Sequence, residues 1–308
     1  MSHIYIISPS SCVLDKASYK RGIKRLMAQG HTLEIDACVL SRSTRFAGDD
    51  EQRLAAIARA AASGADVVMT TRGGYGISRL LPKLPFKAIA KSIDKGTHWV
   101  GFSDFTGLSL AVMAKTQRST WAGPAVIEDF GRADADGGVD DITQACFDDV
   151  LSGMGEGTGW RIAKDDPTEF GYQDLMLWGG NLSLVCSLVG TPYLPAVNNG
   201  ALFLEDVAEP PYRIERMLTQ LLHAGVLAQQ KVIMLGAFNR FSPSAQDKGF
   251  GMKSVVAWLR ANTKARVLTQ LPFGHVPTKV MLPVGKSVDV MVQGREALVF
   301  WSHDHGGA

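Results

Sequence analysis

The sequence predicts an α/β protein whose first half is built on a parallel sheet and whose second half is richer in β-structure. Three observations carry this. Up to residue 152, short β-branched or aromatic runs alternate with helical stretches, the pattern of strand–crossover–strand units. A glycine-rich then polar stretch over 153–168 interrupts that pattern, as a domain boundary does. From Val267 to Phe300 the chain consists of short apolar runs punctuated by Pro and Gly, which read as strands and turns. The expected organisation is an N-terminal domain over 1–152, a linker over 153–170 and a C-terminal domain over 171–308.

Taken in order, residues 5–7 read as a strand ended by Ser8-Pro9-Ser10-Ser11. Residues 15–29 carry Ile23, Leu26 and Met27 at helical spacing, with Gly30 placed to end the helix. Residues 33–40 read as a second strand, 49–63 as an Ala/Arg-rich helix closed by Gly64, and 65–70 as a buried strand. Val139 opens the last helix of this half, over 139–151. In the second half Asn181 is a good N-cap for an apolar helix ending at Gly190. A strand over 201–204 delivers Glu205 and Asp206, Pro210-Pro211 opens a helix over 212–223, and 231–235 is a further strand. The tail with His303 and His305 reads as a frayed end rather than a metal site.

Composition excludes several function classes. The 308 residues are 46% hydrophobic and 20% charged, enough to bury a full core, and two domains are expected at this length. Net charge is +2 from 32 basic and 30 acidic residues without a basic cluster, so neither nucleic acid nor an anionic membrane is expected as a partner. The N-terminus reads as a strand rather than a signal peptide, and no apolar run reaches membrane-spanning length. Cys12, Cys38, Cys146 and Cys186 lie far apart, which fits free thiols and a cytoplasmic location. No H-E-x-x-H, EF-hand or G-x-G-x-x-G spacing occurs, so no metal and no dinucleotide cofactor is expected.

Candidate chemistry gathers on two loops that follow neighbouring strands and so share one sheet edge, where ligands of parallel sheets bind. One is Thr71-Arg72-Gly73-Gly74-Tyr75-Gly76, whose glycines let backbone amides approach a ligand. The other is Gly101-Phe102-Ser103-Asp104-Phe105. A serine on a tight strand-to-helix turn presents its hydroxyl beside amides that can hold an oxyanion. The match to G-x-S-x-G is partial, with Phe105 in the last place, and the plain alternative is that Ser103 or Asp104 caps the next helix. A nucleophilic serine needs a histidine base. Of seven histidines, His275 is the best by elimination, on the Gly/Pro-bounded loop around Phe273-Gly274-His275-Val276-Pro277. Glu205, Asp206 and Glu209 are the candidate carboxylates, with helix capping as the alternative for Glu205 and Glu209.

Seven stretches resemble the LD-carboxypeptidases of the S66 serine peptidase family, the cytoplasmic muramoyltetrapeptide carboxypeptidases of bacterial cell-wall recycling. They start at Ile7 (Ile-Ser-Pro-Ser), Arg45 (Arg-Phe-Ala-Gly), Arg72 (Arg-Gly-Gly-Tyr-Gly) and Gly101 (Gly-Phe-Ser-Asp-Phe-Thr), then Leu177 (Leu-Trp-Gly-Gly-Asn-Leu), Leu204 (Leu-Glu-Asp-Val-Ala-Glu-Pro-Pro) and Leu271 (Leu-Pro-Phe-Gly-His), in family order. The resemblance implies a triad of Ser103, Glu205 and His275 and an oxyanion hole from the amides of Gly74 and Asp104. It also implies a Rossmann-like N-terminal domain, a β-rich C-terminal domain, a site between them and a homodimer. Its substrate would be a murein tetrapeptide, free or in disaccharide- or UDP-linked form. A carboxypeptidase must also anchor a free carboxylate, for which Arg72 is the candidate because a guanidinium forks onto a carboxylate; the plain alternative for Arg72 is a bridge that stabilises its loop. Two rival functions are a family member cleaving microcin C-type peptidyl-nucleotides and a two-domain ligand-binding protein without chemistry.

Overall fold

The computed structural model describes residues 1–301; His303 and His305 lie outside the described residues. The first half runs β1 (His3–Ile7), α1 (Lys16–Ala28), β2 (Thr32–Ile35), α2 (Asp50–Ala62), β3 (Val67–Thr70), α3 (Phe86–Asp94), β4 (His98–Gly101), α4 (Phe105–Thr116), β5 (Thr120–Ala122) and α5 (Asp141–Ser152). Asp15 caps α1, Asp49 closes a capping box with Gln52 on α2, and Asp140 caps α5. The second half runs β6 (Gly157–Arg161), β7 (Glu169–Asn181), α6 (Leu182–Ser187), β8 (Gly200–Val207), α7 (Pro211–His223) and β9 (Gln230–Asn239). It continues with α8 (Met252–Asn262), β10 (Arg266–Leu268), β11 (Leu282–Val284), β12 (Lys286–Gln293) and β13 (Glu296–Phe300).

β1 to β5 form a parallel sheet in the doubly wound order β2-β1-β3-β4-β5. β11 crosses back from the second half and adds to β5 antiparallel. The second sheet has the order β10-β9-β8-β7-β12-β13-β6. Its first four strands are parallel and the last three antiparallel. Between the sheets lies α4, packed on β5 and on β7. Its residues 105–113 are all buried and mostly apolar, as in a helix enclosed by protein on every side. Each large apolar side chain buried there contributes about 1.5–3 kcal/mol.

Four differences from the sequence reading have identifiable causes. The second strand stops at Ile35 because buried Asp36 turns the chain: its carboxylate accepts from Tyr5 Oη, the Cys38 amide and Arg59. Within the stretch expected as a linker, residues 157–161 pair with β13, and buried Trp160 donates from Nε1 to Thr269 O at 2.9 Å. β7 is a thirteen-residue strand leading into Asn181, where the sequence showed only the cap of the next helix. The helix α8 was likewise absent from the sequence reading.

Candidate active site

β3 and β4 are neighbours, so the Arg72–Gly74 loop and the Ser103 turn leave the same edge of the first sheet. Ser103 sits between β4 and α4 with φ +61°, a left-handed conformation that costs a residue with a β-carbon roughly 1–3 kcal/mol. Such strain is a feature of nucleophile turns. A side chain on Gly73 would lie 2.8 Å from Ser103 Oγ, so only glycine lets this loop lie against the hydroxyl. Among the described residues the amides of Gly74 and Asp104 donate no hydrogen bond. The Asp104 side chain does not cap α4. It is buried and accepts from the Ile77 amide at 2.9 Å, and burial raises its pKa.

The second sheet supplies two further candidates. Glu205, near the carboxyl end of β8, has no exposed surface, and its Oε2 lies 2.8 Å from His275 Nδ1. Its other oxygen accepts from Asn181 Nδ2 at 3.1 Å. Gly274 has φ +124°, and a β-carbon there would sit 3.1 Å from Glu205 Oε2, so glycine is required beside the carboxylate. The His275 loop is fixed to β9 by Ala237 N to Phe273 O at 2.8 Å and Asn239 Nδ2 to His275 O at 2.9 Å. Asp206 does something else: it accepts from Asn181 Nδ2 and from the amide and hydroxyl of Ser183, anchoring the start of α6. Glu209 pairs with Arg213 at 2.8 Å. The two halves meet where the Asn181 amide donates to Thr106 Oγ1, on the first turn of α4, at 3.0 Å.

Ser103 and His275 line one cleft of about 620 Å³, together with Arg72, Gly73, Gly74, Phe102, Glu128, Arg132, Asp136, Arg240 and Lys279. Among the described residues no hydrogen bond joins Ser103 Oγ to His275. The imidazole tilts against Phe102, ring centroids 5.0 Å apart, and Lys279 Nζ sits 4.7 Å from the centre of the Phe102 ring. Lys279 is buried and donates to Asp129 Oδ1 and Val276 O. Burial raises the Asp129 pKa, with Lys279 opposing. A groove of about 520 Å³ lies at the far end of α4, beside Met113, Gln117 and Val197, and contains none of these residues.

The other described histidines stand apart from Ser103. His98 is at the amino end of β4 and accepts from Trp121 Nε1 at 3.0 Å; burial lowers its pKa. His31 precedes β2, and its pKa is also lowered by burial. His3 pairs with Glu34, and His223 ends α7. Sequence reasoning had found Asn181 only as a cap and had not found Glu128, Asp129 or Lys279. An acidic pair soon after an apolar strand and Gly123-Pro124 was the available signal for the first two.

A strained serine sharing a cleft with a histidine held by a buried carboxylate is chemistry suited to acyl transfer. The signature of the LD-carboxypeptidase N-terminal domain matches residues 4–123, and that of the LD-carboxypeptidase C-terminal domain matches 176–290. The chain belongs to the LD-carboxypeptidase family. It is similar to the crystal structure of muramoyltetrapeptide carboxypeptidase from Oxalobacter formigenes, with 36% identity, TM-score 0.86, and 96% of this chain and 97% of that one covered. It is 27% identical to the probable murein peptide carboxypeptidase of Bacillus subtilis, over 88% of this chain and 83% of that protein. The microcin C7 self-immunity protein MccF of Escherichia coli is also 27% identical, over 71% of this chain and 69% of its own length.

Proposed function

We propose that the protein is a serine carboxypeptidase that cleaves the bond between an L-configured residue and the terminal D-alanine of murein tetrapeptides, in cell-wall recycling. The observation that carries this reading is the 2.8 Å hydrogen bond between His275 Nδ1 and the accepting carboxylate of Glu205, in a loop that shares its cleft with Ser103. With Nδ1 engaged, Nε2 is the nitrogen free to take a proton. It removes the proton of Ser103 Oγ as the oxygen attacks the scissile carbonyl. The amides of Gly74 and Asp104 receive the oxyanion. Collapse breaks the C–N bond, Nε2 returns the proton to the departing amine, and D-alanine leaves. Water, activated by the same nitrogen, then hydrolyses the acyl-enzyme. Glu205 fixes the tautomer and stabilises the imidazolium. Arg72 anchors the terminal carboxylate. The family resemblance also supports a cytoplasmic homodimer, which sedimentation of the purified protein tests.

Incubation with disaccharide-tetrapeptide should release one D-alanine per molecule and leave the tripeptide. The similarity to MccF supports one alternative, hydrolysis of a microcin C-type peptidyl-nucleotide. Turnover of that adduct with no release of D-alanine would select it. Tight binding of tetrapeptide with no turnover would instead select a ligand-binding protein.

A further inference from the structure

After β5 the chain passes Gly123-Pro124 and makes a single π-helical turn, Val126–Phe130. The Ile127 amide donates to Thr71 O at 2.9 Å, which ties this turn to the loop carrying Arg72. Glu128 and Arg72 therefore face the cleft from two sides of Ser103's strand, β4, which lies between β3 and β5. Their closest atoms, Arg72 Nε and Glu128 Oε1, are 3.8 Å apart, too far for a hydrogen bond. Arg72 Nε and Glu128 Oε2 are both shielded from solvent, and neither has a hydrogen-bond partner among the described residues. Buried polar atoms without partners are rare and costly. Each side chain keeps 30% of its surface exposed where it lines the cleft, so a guanidinium and a carboxyl group stand side by side and unpaired by hydrogen bonds in front of a ligand.

We propose that Glu128, in its protonated form, and Arg72 together hold the free carboxylate of the residue that is cut off. This deepens the proposed carboxypeptidase reading and rests on it. The guanidinium supplies charge, and the neutral carboxyl supplies an O–H donor to the second carboxylate oxygen. An ionised Glu128 would repel the same group, so binding takes up a proton to the extent that Glu128 is ionised in the free protein. The charges around Glu128 fit this. Asp129 is its chain neighbour, but Asp129 is engaged by Lys279. Arg72 faces it from the β3 loop, and Arg132, Asp136, Arg240 and His275 line the remaining cleft. Burial first, and then repulsion from Asp129, push the Glu128 carboxyl up to about 7 against the pull of Arg72 and Lys279. A neutral donor is thus available at physiological pH.

The test separates this inference from the functional reading by measuring binding apart from turnover. In a Ser103→Ala background, calorimetry follows the tetrapeptide ending in D-alanine and its C-terminal amide between pH 6 and pH 8.5. The Kd of the free acid should rise about thirty-fold over that range, because binding requires a proton on Glu128. The amide should bind weakly and without this pH dependence. Adding Glu128→Gln, whose carboxamide donates but does not titrate, should leave the Kd of the free acid flat across the range. A pH dependence that persists in Glu128→Gln comes from another group and overturns the proposal. So does equal binding of acid and amide, absence of binding by either, or a Kd that falls with pH, which would mean that Glu128 receives a substrate ammonium. Release of D-alanine by the wild-type protein is scored separately: without it the carboxypeptidase reading fails, while the binding data still decide the role of Glu128.

Discussion

The two halves of the molecule hold their candidate groups by different physical means. In the first sheet, Ser103 is placed by the backbone: a left-handed turn, a glycine pressed against its hydroxyl, and a helix enclosed on all sides. In the second sheet, the loop of His275 is tied to β9 through its backbone, and the imidazole itself is placed by side chains. Glu205 holds one ring nitrogen, Asn181 holds Glu205, and Phe102 with Lys279 supports the ring face. A backbone-defined position tolerates changes in neighbouring side chains, because main-chain torsions are set by packing over many residues. A position defined by a hydrogen-bond chain depends on every member of that chain. The second half should therefore be the more fragile to substitution.

Among substitutions in the second half, Glu205→Gln carries the largest expected effect on turnover. It keeps the size of the side chain but removes the charge that fixes the imidazole tautomer, so kcat should fall about 10²- to 10⁴-fold with little change in melting temperature. Its neighbour provides the control. Asp206→Asn disturbs the start of α6, so it should lower stability by about 1–2 kcal/mol and leave kcat within roughly tenfold. The reverse ranking in kcat would move the orienting role to Asp206.

Lys279→Met tests the deeper support of the same half. It leaves Asp129 buried without its cation, which should cost about 3–5 kcal/mol of stability. The sign with pH is definite. Burial already raises the Asp129 pKa, and without Lys279 folding favours the protonated acid more strongly. The loss measured by urea unfolding should then shrink as pH falls and grow as it rises. A loss independent of pH between 5 and 8 would mean that Asp129 does not carry the penalty.

Ser103→Gly probes the contrasting half and has the smallest expected effect on stability. It relieves the left-handed strain at the expense of a freer unfolded chain, so the protein should be stabilised by up to about 1 kcal/mol. A destabilisation of that size would mean that the turn is held by the serine side chain.

Legibility in the sequence divides along similar lines. The Ser103 turn and the loop at 72–74 were visible because glycines and strand-to-helix transitions are local signals. Glu205 was visible as an acid at the end of an apolar run, although nothing local separated it from Asp206 as a partner for histidine. That choice came from the family resemblance, and in the structure it is Glu205 that meets His275 while Asp206 faces α6. Glu128, Asp129 and Lys279 were not legible: Asp129 and Lys279 stand 150 positions apart and meet only because β11 returns to the first sheet. The same return explains why a simple division of the chain into halves describes the sequence better than the sheets. β6 was obscured by its alternating glycines, and β7 by the Gly179-Gly180 pair at its end, both of which weaken a strand signal.

The central claim is that a serine from the first sheet reacts under the control of a histidine from the second. Its most direct test is D-alanine release from disaccharide-tetrapeptide by Ser103→Ala beside wild type, with folding checked by circular dichroism. Loss of the hydroxyl should lower kcat by on the order of 10⁴-fold or more while substrate binding and the fold persist. Release within tenfold of the wild-type rate, in a correctly folded variant, would contradict the account.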